Sequence, residues 1–250
     1  MKLSGWGKYP VIQTKQFTPI TVSGVRERLA SKGAFTGIAR GVGRSYGDSS
    51  LAKQTIQTSS LDHFISFDEQ TGVLTCNAGV TLAEILTHFV PKGWSLPVTP
   101  GTKFVTVGGA IASDVHGKNH HLEGCFSDHI FSFDLVLASG DVVSCSKSQN
   151  RELFRATCGG MGLTGVIVET TIQLKSIRSS YINQKTIKAK NLKEIMTLFE
   201  EHHQSTYSVA WIDCLSSGRN LGRSLLMLGE HSQKGDLSLG KKASLSVPVD

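Results

Sequence analysis

The sequence has few cysteines and no arrangement that would pair them. The five cysteines are odd in number, widely spaced and contain no CxxC pair. This pattern argues against a disulfide framework and against a structural zinc site. We therefore expect reduced, mostly buried thiols at Cys76, Cys125, Cys145, Cys158 and Cys214.

Long apolar runs are also missing. No stretch approaches the roughly 20 apolar residues that a membrane-spanning helix needs, and the opening MKLSGWGKYP lacks the apolar centre of a signal peptide. We therefore expect a cytoplasmic protein. Any contact with a membrane is expected to be peripheral, at the membrane surface.

Aromatic residues make up 7% of the 250 residues, charged residues 18% and hydrophobic residues 39%. This composition excludes a disordered or fibrous chain and indicates one large or two ordinary globular domains. The net charge of +6 favours anionic partners. Because Lys and Arg are scattered without a basic stripe interleaved with aromatics, we expect a phosphorylated cofactor or a lipid phosphate and no nucleic acid.

The stretch hardest to explain as ordinary structure is TPGTKFVTVGGAIASDVHGKNHH, residues 99–121. Pro100 restricts the backbone before Gly101, and Gly108 and Gly109 permit an approach that a Cβ atom would block. The run ends in His116, Lys118, His120 and His121. Small residues beside titratable ones indicate a ligand held against the main chain; the alternative is a solvated surface loop.

A second glycine-rich stretch, RGVGRSYGDSS at residues 40–50, follows a predicted strand. Its glycines and serines offer N–H and hydroxyl groups that can surround phosphate oxygens. The spacing GxGxxxG differs from the Rossmann GxGxxG, and the residues that follow do not form a clear amphipathic helix. The stretch predicts a phosphate-binding loop of another kind, or a solvated glycine turn.

A formal GxGxxG occurs at Gly160, Gly162 and Gly165. It precedes VIVETTIQLK, which alternates like a strand, whereas a dinucleotide-binding motif must open a helix. The match therefore fails its structural test. The alternatives are a glycine turn that packs against a bound planar ring and a plain turn.

Hydrophobic periodicity and turn residues predict alternating short strands and helices. The clearest helix spans 81–92, where Thr81 and Glu84 form a capping box before an apolar face. Further helices are predicted at 22–31, ended by Gly33, and at 150–157 and 191–203. Strands are predicted at 35–39, 64–68, 73–77, 130–138, 142–146, 166–175, 207–213 and 225–230. The polar segment 235–250 shows no element.

Four histidines, His116, His120, His121 and His129, raise the alternative of a metal site. No cysteine or carboxylate lies at a supporting spacing. The nearby glycines also argue against a helix that presents His116 and His120 on one face. We therefore expect no metal.

Four stretches together resemble a known family. GRSYGDSS, PGTKFVTVGGAIASDVHGKNHH, GGMGLTGVI and YSVAWIDCLSSGRNLGR look like the flavin-dependent decaprenylphosphoryl-β-D-ribose 2-oxidase family, within the vanillyl-alcohol-oxidase superfamily of FAD proteins. The resemblance runs from Gly5 to about Val247. It implies an α+β fold in which a two-part FAD-binding domain, residues 1–177, is followed by the start of an antiparallel-sheet substrate domain, residues 178–250.

The resemblance also implies which residues hold FAD. The loop expected around the pyrophosphate contains Arg40, Gly41, Val42, Gly43, Arg44, Ser45, Tyr46 and Gly47. Pro100, Gly101, Thr102, Val107, Gly108, Gly109 and Ser113 would line the cofactor. His116, Gly117, Lys118 and Asn119 would lie near the isoalloxazine, and Gly162, Gly165, Val166 and Ile167 near the adenosine. Superfamily members with covalent flavin commonly have a histidine where this chain has Arg44, so non-covalent FAD is expected.

The reaction that the resemblance implies is oxidation of a ribosyl hydroxyl on a polyprenyl phosphate to a ketone, the first half of an epimerisation to arabinose that a reductase completes. Such a hydride transfer needs a base or a charge-stabilising group beside the carbinol. His116 and Lys118 are the candidates: His116 for the proton or for fixing the loop, Lys118 for the substrate phosphate or an oxygen.

Two alternatives remain beside this reaction. One is another FAD-linked sugar or sugar-lactone oxidase, although Asp213 and Arg219 in the YSVAWIDCLSSGRNLGR segment favour the ribose oxidase. The other is a non-catalytic flavin-binding or partner-binding module. Chains of the family are considerably longer, and their C-terminal part completes the FAD domain and brings a further tyrosine and lysine to the active site. We therefore expect a truncated form, or a protein whose C-terminal half is a separate chain.

Overall fold

The computed structural model describes residues 1–31 and 35–238. The strands are β1 (Lys2–Ser4), β2 (Val11–Gln13), β3 (Lys15–Phe17), β4 (Ile38–Arg40), β5 (Gln54–Gln57), β6 (Phe64–Asp68), β7 (Val73–Asn77), β8 (Trp94–Ser95), β9 (Ile130–Val136), β10 (Val142–Ser146), β11 (Val166–Gln173), β12 (Lys175–Ser176), β13 (Ile182–Ala189), β14 (Tyr207–Ile212) and β15 (Ser224–His231). The α-helices are α1 (Val22–Ala30), α2 (Leu82–Phe89), α3 (Val107–Ala112), α4 (His120–Glu123), α5 (Arg151–Thr157) and α6 (Leu192–Glu201).

Three sheets carry the architecture. The first is parallel, with the strand order β3-β5-β4. The second is antiparallel and has five strands in the order β10-β9-β11-β7-β6. The third is antiparallel, with the order β13-β15-β14. This mixture of helices with parallel and antiparallel sheets confirms the predicted α+β class.

The five-stranded sheet is covered on both faces, and its central strand, β11, buries side chains on each face. Ile167 and Ile172 belong to the larger core cluster, which also contains residues of α2, α3 and α5. Val166 and Val168 belong to a second cluster, with residues of α1 and β5. Burial of each such aliphatic side chain stabilises the fold by about 1.5–3 kcal/mol. Because one core cluster lies on each face, the sheet separates the two layers of the N-terminal region.

The predicted helices are present with small changes at their ends. Helix α2 begins at Leu82 with both halves of the predicted capping box formed between Thr81 and Glu84, and it passes into a 3-10 turn, Val90–Lys92. Helix α6 is capped by Asn191, whose side chain accepts a hydrogen bond from the Glu194 N–H. Gly33, predicted to end α1, lies outside the described residues. Within the described part of the chain, every helix is too short or too polar to cross a membrane.

The strand predictions are mostly confirmed, and the exceptions have physical reasons. The hairpins β6-β7 and β9-β10 have the predicted turns. The strand predicted at 35–39 is wrong at its start, because β4 begins at Ile38, where pairing with β5 begins. Strand β13 was not predicted, since six of its eight residues are exposed and its sequence INQKTIKA has little apolar alternation. Of the polar segment 235–250, residues 239–250 lie outside the described residues.

The C-terminal sheet has a small core of its own. Helix α6 packs on one face, where Ile195 meets Leu226 and Leu228 of β15 and Ala189 of β13. This core contains no residue of the two N-terminal clusters. The domain boundary near residue 177, between β12 and β13, stays a prediction that this separation of cores supports.

Candidate cofactor-binding site

A cavity of about 620 Å³ opens between the 40–50 loop, the start of α3 and the turn before β11. Its volume falls within the range of about 300–1,000 Å³ that is usual for small-molecule and cofactor sites. Most of the predicted cofactor residues line it: Arg40, Gly41, Val42, Gly43, Arg44, Ser45, Tyr46, Pro100, Gly101, Thr102, Gly108, Gly109, Ser113, Gly162, Gly165 and Ile167. The structure thus brings together three stretches that are far apart in the sequence.

The glycine at position 41 is required by a close contact. A Cβ atom there would lie 2.3 Å from the Thr106 hydroxyl oxygen. That hydroxyl caps α3, because it accepts a hydrogen bond of 3.2 Å from the Gly109 N–H. The Gly41 carbonyl in turn accepts a hydrogen bond of 2.6 Å from the Gln57 side chain. The loop therefore lies directly on the first turn of α3.

Arg40 places a buried positive charge in the cavity wall. Only 8% of the residue is exposed, and burial lowers the pKa of its guanidinium. The guanidinium donates to the Ser4 carbonyl (2.8 Å) and the Ser50 hydroxyl (3.1 Å). Within residues 1–31 and 35–238 no carboxylate forms an ion pair with it. Because a buried charge is normally paired, Arg40 is suited to an anionic ligand.

Helix α3 was not predicted, because its sequence VGGAIA contains two glycines, which are poor helix formers. A Cβ atom at Gly108 would lie 2.9 Å from the Ala78 Cβ, so this glycine permits α3 to pack against the end of β7. Both glycines also line the cavity. Gly108 therefore serves both the packing of α3 and the lining of the cavity.

The glycine turn before β11 leads directly into that strand. Gly162 has φ +78°, and Gly165 has φ +156° with its Cβ position only 2.6 Å from the Val136 carbonyl oxygen. Since β11 starts at Val166, no helix follows, which confirms that the formal GxGxxG is not a Rossmann motif. Gly162 and Gly165 both line the cavity.

Seven predicted site residues do not line the cavity: Gly47, Val107, His116, Gly117, Lys118, Asn119 and Val166. Val107 and Val166 are core residues. Asn119 is 1% exposed and donates from its side-chain amide to the Pro97 carbonyl (2.8 Å), so it fixes the turn that carries its neighbours. A Cβ atom at Gly117 would lie 2.6 Å from the Asn119 Oδ1, which explains the glycine there.

His116 and Lys118 lie on the loop between α3 and α4, and both are exposed. His116 Nδ1 lies 3.4 Å from the Gly117 carbonyl oxygen, and its ring centroid is 5.2 Å from that of His120. The Lys118 carbonyl accepts a hydrogen bond of 2.9 Å from the Ser208 N–H at the start of β14. The loop is therefore tied to the C-terminal sheet, with both candidate side chains outside the cavity wall.

The histidines do not form a metal centre in the described part of the chain, where no group of three or more suitable ligands occurs. Three of them donate instead to main-chain carbonyls: His120 to Gly117 (3.2 Å), His121 to Ser205 (3.0 Å) and His129 to Glu123 (2.9 Å). A ring nitrogen that donates to a carbonyl has no lone pair for a metal.

The five cysteines are unpaired, as expected, but fewer of them are buried than predicted. Cys76 and Cys145 are buried, Cys125 and Cys158 are half-buried, and Cys214 is exposed. Burial raises the pKa of Cys76 and Cys158 to about 12. These two thiols are therefore not nucleophiles near neutral pH.

Several lining residues were not singled out in the sequence, among them Trp6, Thr58, Thr106 and Met161. Thr106 can be recognised only once α3 is known, because it caps that helix. Trp6 gave no signal, because it lies in the N-terminal arm, residues 1–13, which reaches the loop only through tertiary contacts.

A model of the FAD binding domain family matches residues 27–146, which include the 40–50 loop and all of α3. The match confirms the predicted cofactor, FAD. The matched region ends before the glycine turn of β11 and begins after the N-terminal arm.

Named relatives agree with this family. The chain is 36% identical over 236 residues to decaprenylphosphoryl-beta-D-ribose oxidase of Mycolicibacterium smegmatis, which covers 91% of the chain and 51% of that protein. It is 27% identical over 208 residues to L-gulonolactone oxidase of Bos taurus, covering 81% of the chain and 46% of that protein. The resemblance to the ribose oxidase family is thereby confirmed. The chain spans about half the length of these curated relatives.

The residues present in the FAD-binding domain fit the cofactor. FAD is a long, doubly phosphorylated ligand, and the cavity offers the buried guanidinium of Arg40, which has no carboxylate partner among the described residues, beside a loop of glycines and serines. Glycines occupy the positions where a Cβ atom would crowd Thr106 or the Arg40 guanidinium. The donor set therefore matches a diphosphate, and the apolar residues Val105, Val115 and Ile167 supply surface for the rings.

Proposed function

We propose that this chain is the FAD-binding part of an oxidoreductase that oxidises a secondary hydroxyl of a polyprenyl-phosphate-linked ribose to a ketone. The observation that carries the proposal is the glycine cavity around buried Arg40, in a chain that aligns over 91% of its length with a decaprenylphosphoryl-ribose oxidase. In this proposal the 40–50 loop holds the diphosphate, and FAD is bound without a covalent link, since Arg44 offers no nucleophile.

When bound, FAD supplies the hydride acceptor for the alcohol carbon. The protein must then remove the hydroxyl proton, and we assign this role to His116. Its contact with the Gly117 carbonyl places a proton on Nδ1 and leaves Nε2 as the basic nitrogen. Lys118, exposed two residues away, supplies a positive charge for the substrate phosphate or for the alcohol oxygen. Asn119 acts through the backbone as a positioning residue for both.

The proposed substrate also sets the partners and the place of action. A ketone formed on a lipid-linked sugar needs a reductase to complete the conversion to arabinose. The substrate's polyprenyl chain is held in a membrane, so the protein would work at the cytoplasmic membrane surface. The net charge of +6 favours such contact with an anionic surface and substrate.

A second candidate, a sugar-lactone oxidase, is favoured by the similarity to L-gulonolactone oxidase of Bos taurus. The two candidates can be told apart by the substrate that reduces, and so bleaches, the flavin: a polyprenyl-phosphoryl ribose or a sugar lactone. A non-catalytic flavin-binding module is the third reading, and it predicts bleaching by neither compound.

The first test is the visible spectrum of the purified chain before and after acid precipitation. We expect flavin absorbance that moves to the supernatant, which shows non-covalent FAD. Absorbance that stays with the pellet would contradict the assignment of Arg44, and a colourless chain that takes up no added FAD would contradict the site itself.

The second test adds a polyprenyl-phosphoryl ribose or a gulonolactone to the FAD-loaded chain without oxygen. Bleaching by the ribose compound is expected, and bleaching only by the lactone would favour the second candidate. His116→Gln should slow bleaching by about 10²–10⁴-fold, the usual contribution of a positioned base, and should leave FAD affinity unchanged. Asp62→Asn, at an exposed site, is the matched control.

A further inference from the structure

The N-terminal arm lies against the cofactor loop, outside the region that the family model matches. Its strands β1 and β2 pair with each other, and the Met1 ammonium donates to the Thr14 carbonyl (2.9 Å). Directly after Thr14, β3 joins the parallel sheet next to β5. The arm is therefore a hairpin anchored at its base in the FAD-binding domain.

The tip of the arm is attached to the loop by specific contacts. The Trp6 N–H donates to the Ser45 carbonyl (2.9 Å), and the Ser4 carbonyl accepts from the Arg40 guanidinium (2.8 Å). Gly5 is buried between them, and a Cβ atom there would lie 2.5 Å from the Ser45 carbonyl oxygen. Gly5 thus lets the arm approach the loop as closely as two backbones permit.

These contacts place the Trp6 indole in the cavity wall. The side chain remains half-exposed, with 51% of the residue accessible. The Arg44 guanidinium carbon lies 4.8 Å from the centroid of the indole ring, within cation–π range. An indole is a large apolar surface, and one that lines a ligand cavity while still accessible is suited to contact the ligand.

We propose that Trp6 and Arg44 form a clamp that closes the arm side of the cavity over bound FAD and slows its release. The indole contributes apolar contact and fixes the Arg44 guanidinium above the loop, where its charge faces the diphosphate. Arg44 by itself is a long, mobile side chain, so orienting it by stacking reduces the entropy lost on binding. This inference rests on FAD binding in the cavity and adds a retention device to it.

The test is the rate of FAD release from the loaded chain, followed by the recovery of flavin fluorescence on dilution. Trp6→Ala should raise the dissociation rate constant about tenfold, the change expected for losing a cation–π contact together with apolar contact. Trp6→Phe, which keeps an aromatic face, should raise it only about threefold. Tyr9→Ala removes an exposed aromatic of the same arm that does not line the cavity, and it should release FAD at the wild-type rate.

The pair itself is tested by a double-mutant cycle. Arg44→Gln should raise the rate constant, and the double variant Trp6→Ala/Arg44→Gln should release FAD no faster than about the larger single effect, because the two side chains act together. Independent, multiplicative effects would overturn the clamp. Should Trp6→Ala not fold, as judged by circular dichroism, the comparison of Trp6→Phe with Trp6→Leu replaces it, with faster release expected from Leu.

The outcomes separate the clamp from the proposed function. A wild-type chain that binds no FAD contradicts FAD binding in the cavity. A wild-type chain that binds FAD while Trp6→Ala releases it at the same rate contradicts the clamp alone.

Discussion

Single atoms decide the shape of the cofactor site. The Thr106 hydroxyl accepts a hydrogen bond from the Gly109 N–H, and it lies where a Cβ atom at position 41 would collide with it. A side chain at position 41 would push this hydroxyl away and uncap α3, which carries Gly108 and Gly109 into the cavity wall. The 40–50 loop therefore shapes the cavity through helix α3 as well as by lining it directly.

This leads to a prediction for Gly41→Ala. Forced contact with Thr106 should lower the free energy of unfolding by about 1–3 kcal/mol, the usual cost of overpacking, and should weaken FAD binding. Urea unfolding and a titration with FAD measure the two effects. Gly7→Ala is the matched control, since a Cβ atom there meets nothing within 4 Å. Equal stability of the two variants would contradict this account.

At the scale of elements, the structure shows which signals are local. The capping box of α2 and the turns of β6-β7 and β9-β10 depend on neighbours within a few residues, so the sequence predicts them. Strand β13 depends on pairing with β15, whose residues follow more than thirty positions later in the sequence; Ile182, for example, pairs with His231. Helix α3 depends on its close packing with Ala78. Elements of this second kind carry little sequence signal of their own.

The capping box of α2 provides the second prediction. The Thr81 hydroxyl accepts from the Glu84 N–H (3.2 Å), and the Glu84 carboxylate accepts from the Thr81 N–H (2.7 Å). Thr81→Ala should therefore cost about 1 kcal/mol of the free energy of unfolding. Thr87→Ala in the same helix should change the free energy of unfolding by no more than about 0.5 kcal/mol. The exposed Thr87 hydroxyl donates to the Ala83 carbonyl and caps no end of the helix. Thermal unfolding that ranks the two in the opposite order would refute this.

At the scale of the whole molecule, helix α4, strand β12 and the C-terminal sheet meet at a polar cluster. Lys175 forms an ion pair with Glu123 of α4. Beside it, the Tyr207 hydroxyl and His231 Nε2 are 2.9 Å apart, joining the ends of β14 and β15. Burial, and then the charge of Lys175, lower the pKa of His231, while Glu230 and Glu123 act in the opposite direction. At neutral pH, His231 therefore contacts the Tyr207 hydroxyl as a neutral imidazole.

Acid should weaken the protein through this histidine. Below the unfolded-state pKa of about 6.5, the unfolded chain takes up a proton that native His231 resists, so stability should fall as the pH drops from that value through the lower native pKa. His231→Gln should remove this part of the pH dependence. Urea midpoints between neutral pH and pH 5 measure the effect, and His63→Gln, at a solvent-exposed histidine, should keep the wild-type slope.

The sequence indicated most of the cavity wall, because the special backbone freedom of glycine, the rigidity of proline and the hydroxyl of serine can be recognised from residue identity alone. It did not reveal that Trp6 reaches the cavity wall through a backbone contact with Ser45, nor that His116 and Lys118 lie outside that wall. Both facts come from the way distant segments pack, which no local pattern of residues contains.

The position of β11 has a consequence for biosynthesis. This strand sits between two hairpins, pairing with β7 on one side and β9 on the other. The hairpins can form early, but each presents an open edge until Val166–Gln173 leaves the ribosome. At roughly 5–20 residues per second, the stretch of about 100 residues after β7 takes on the order of 5–20 s to synthesise. During that interval the nascent chain is most exposed to edge-to-edge association, and it is then that chaperones would protect it.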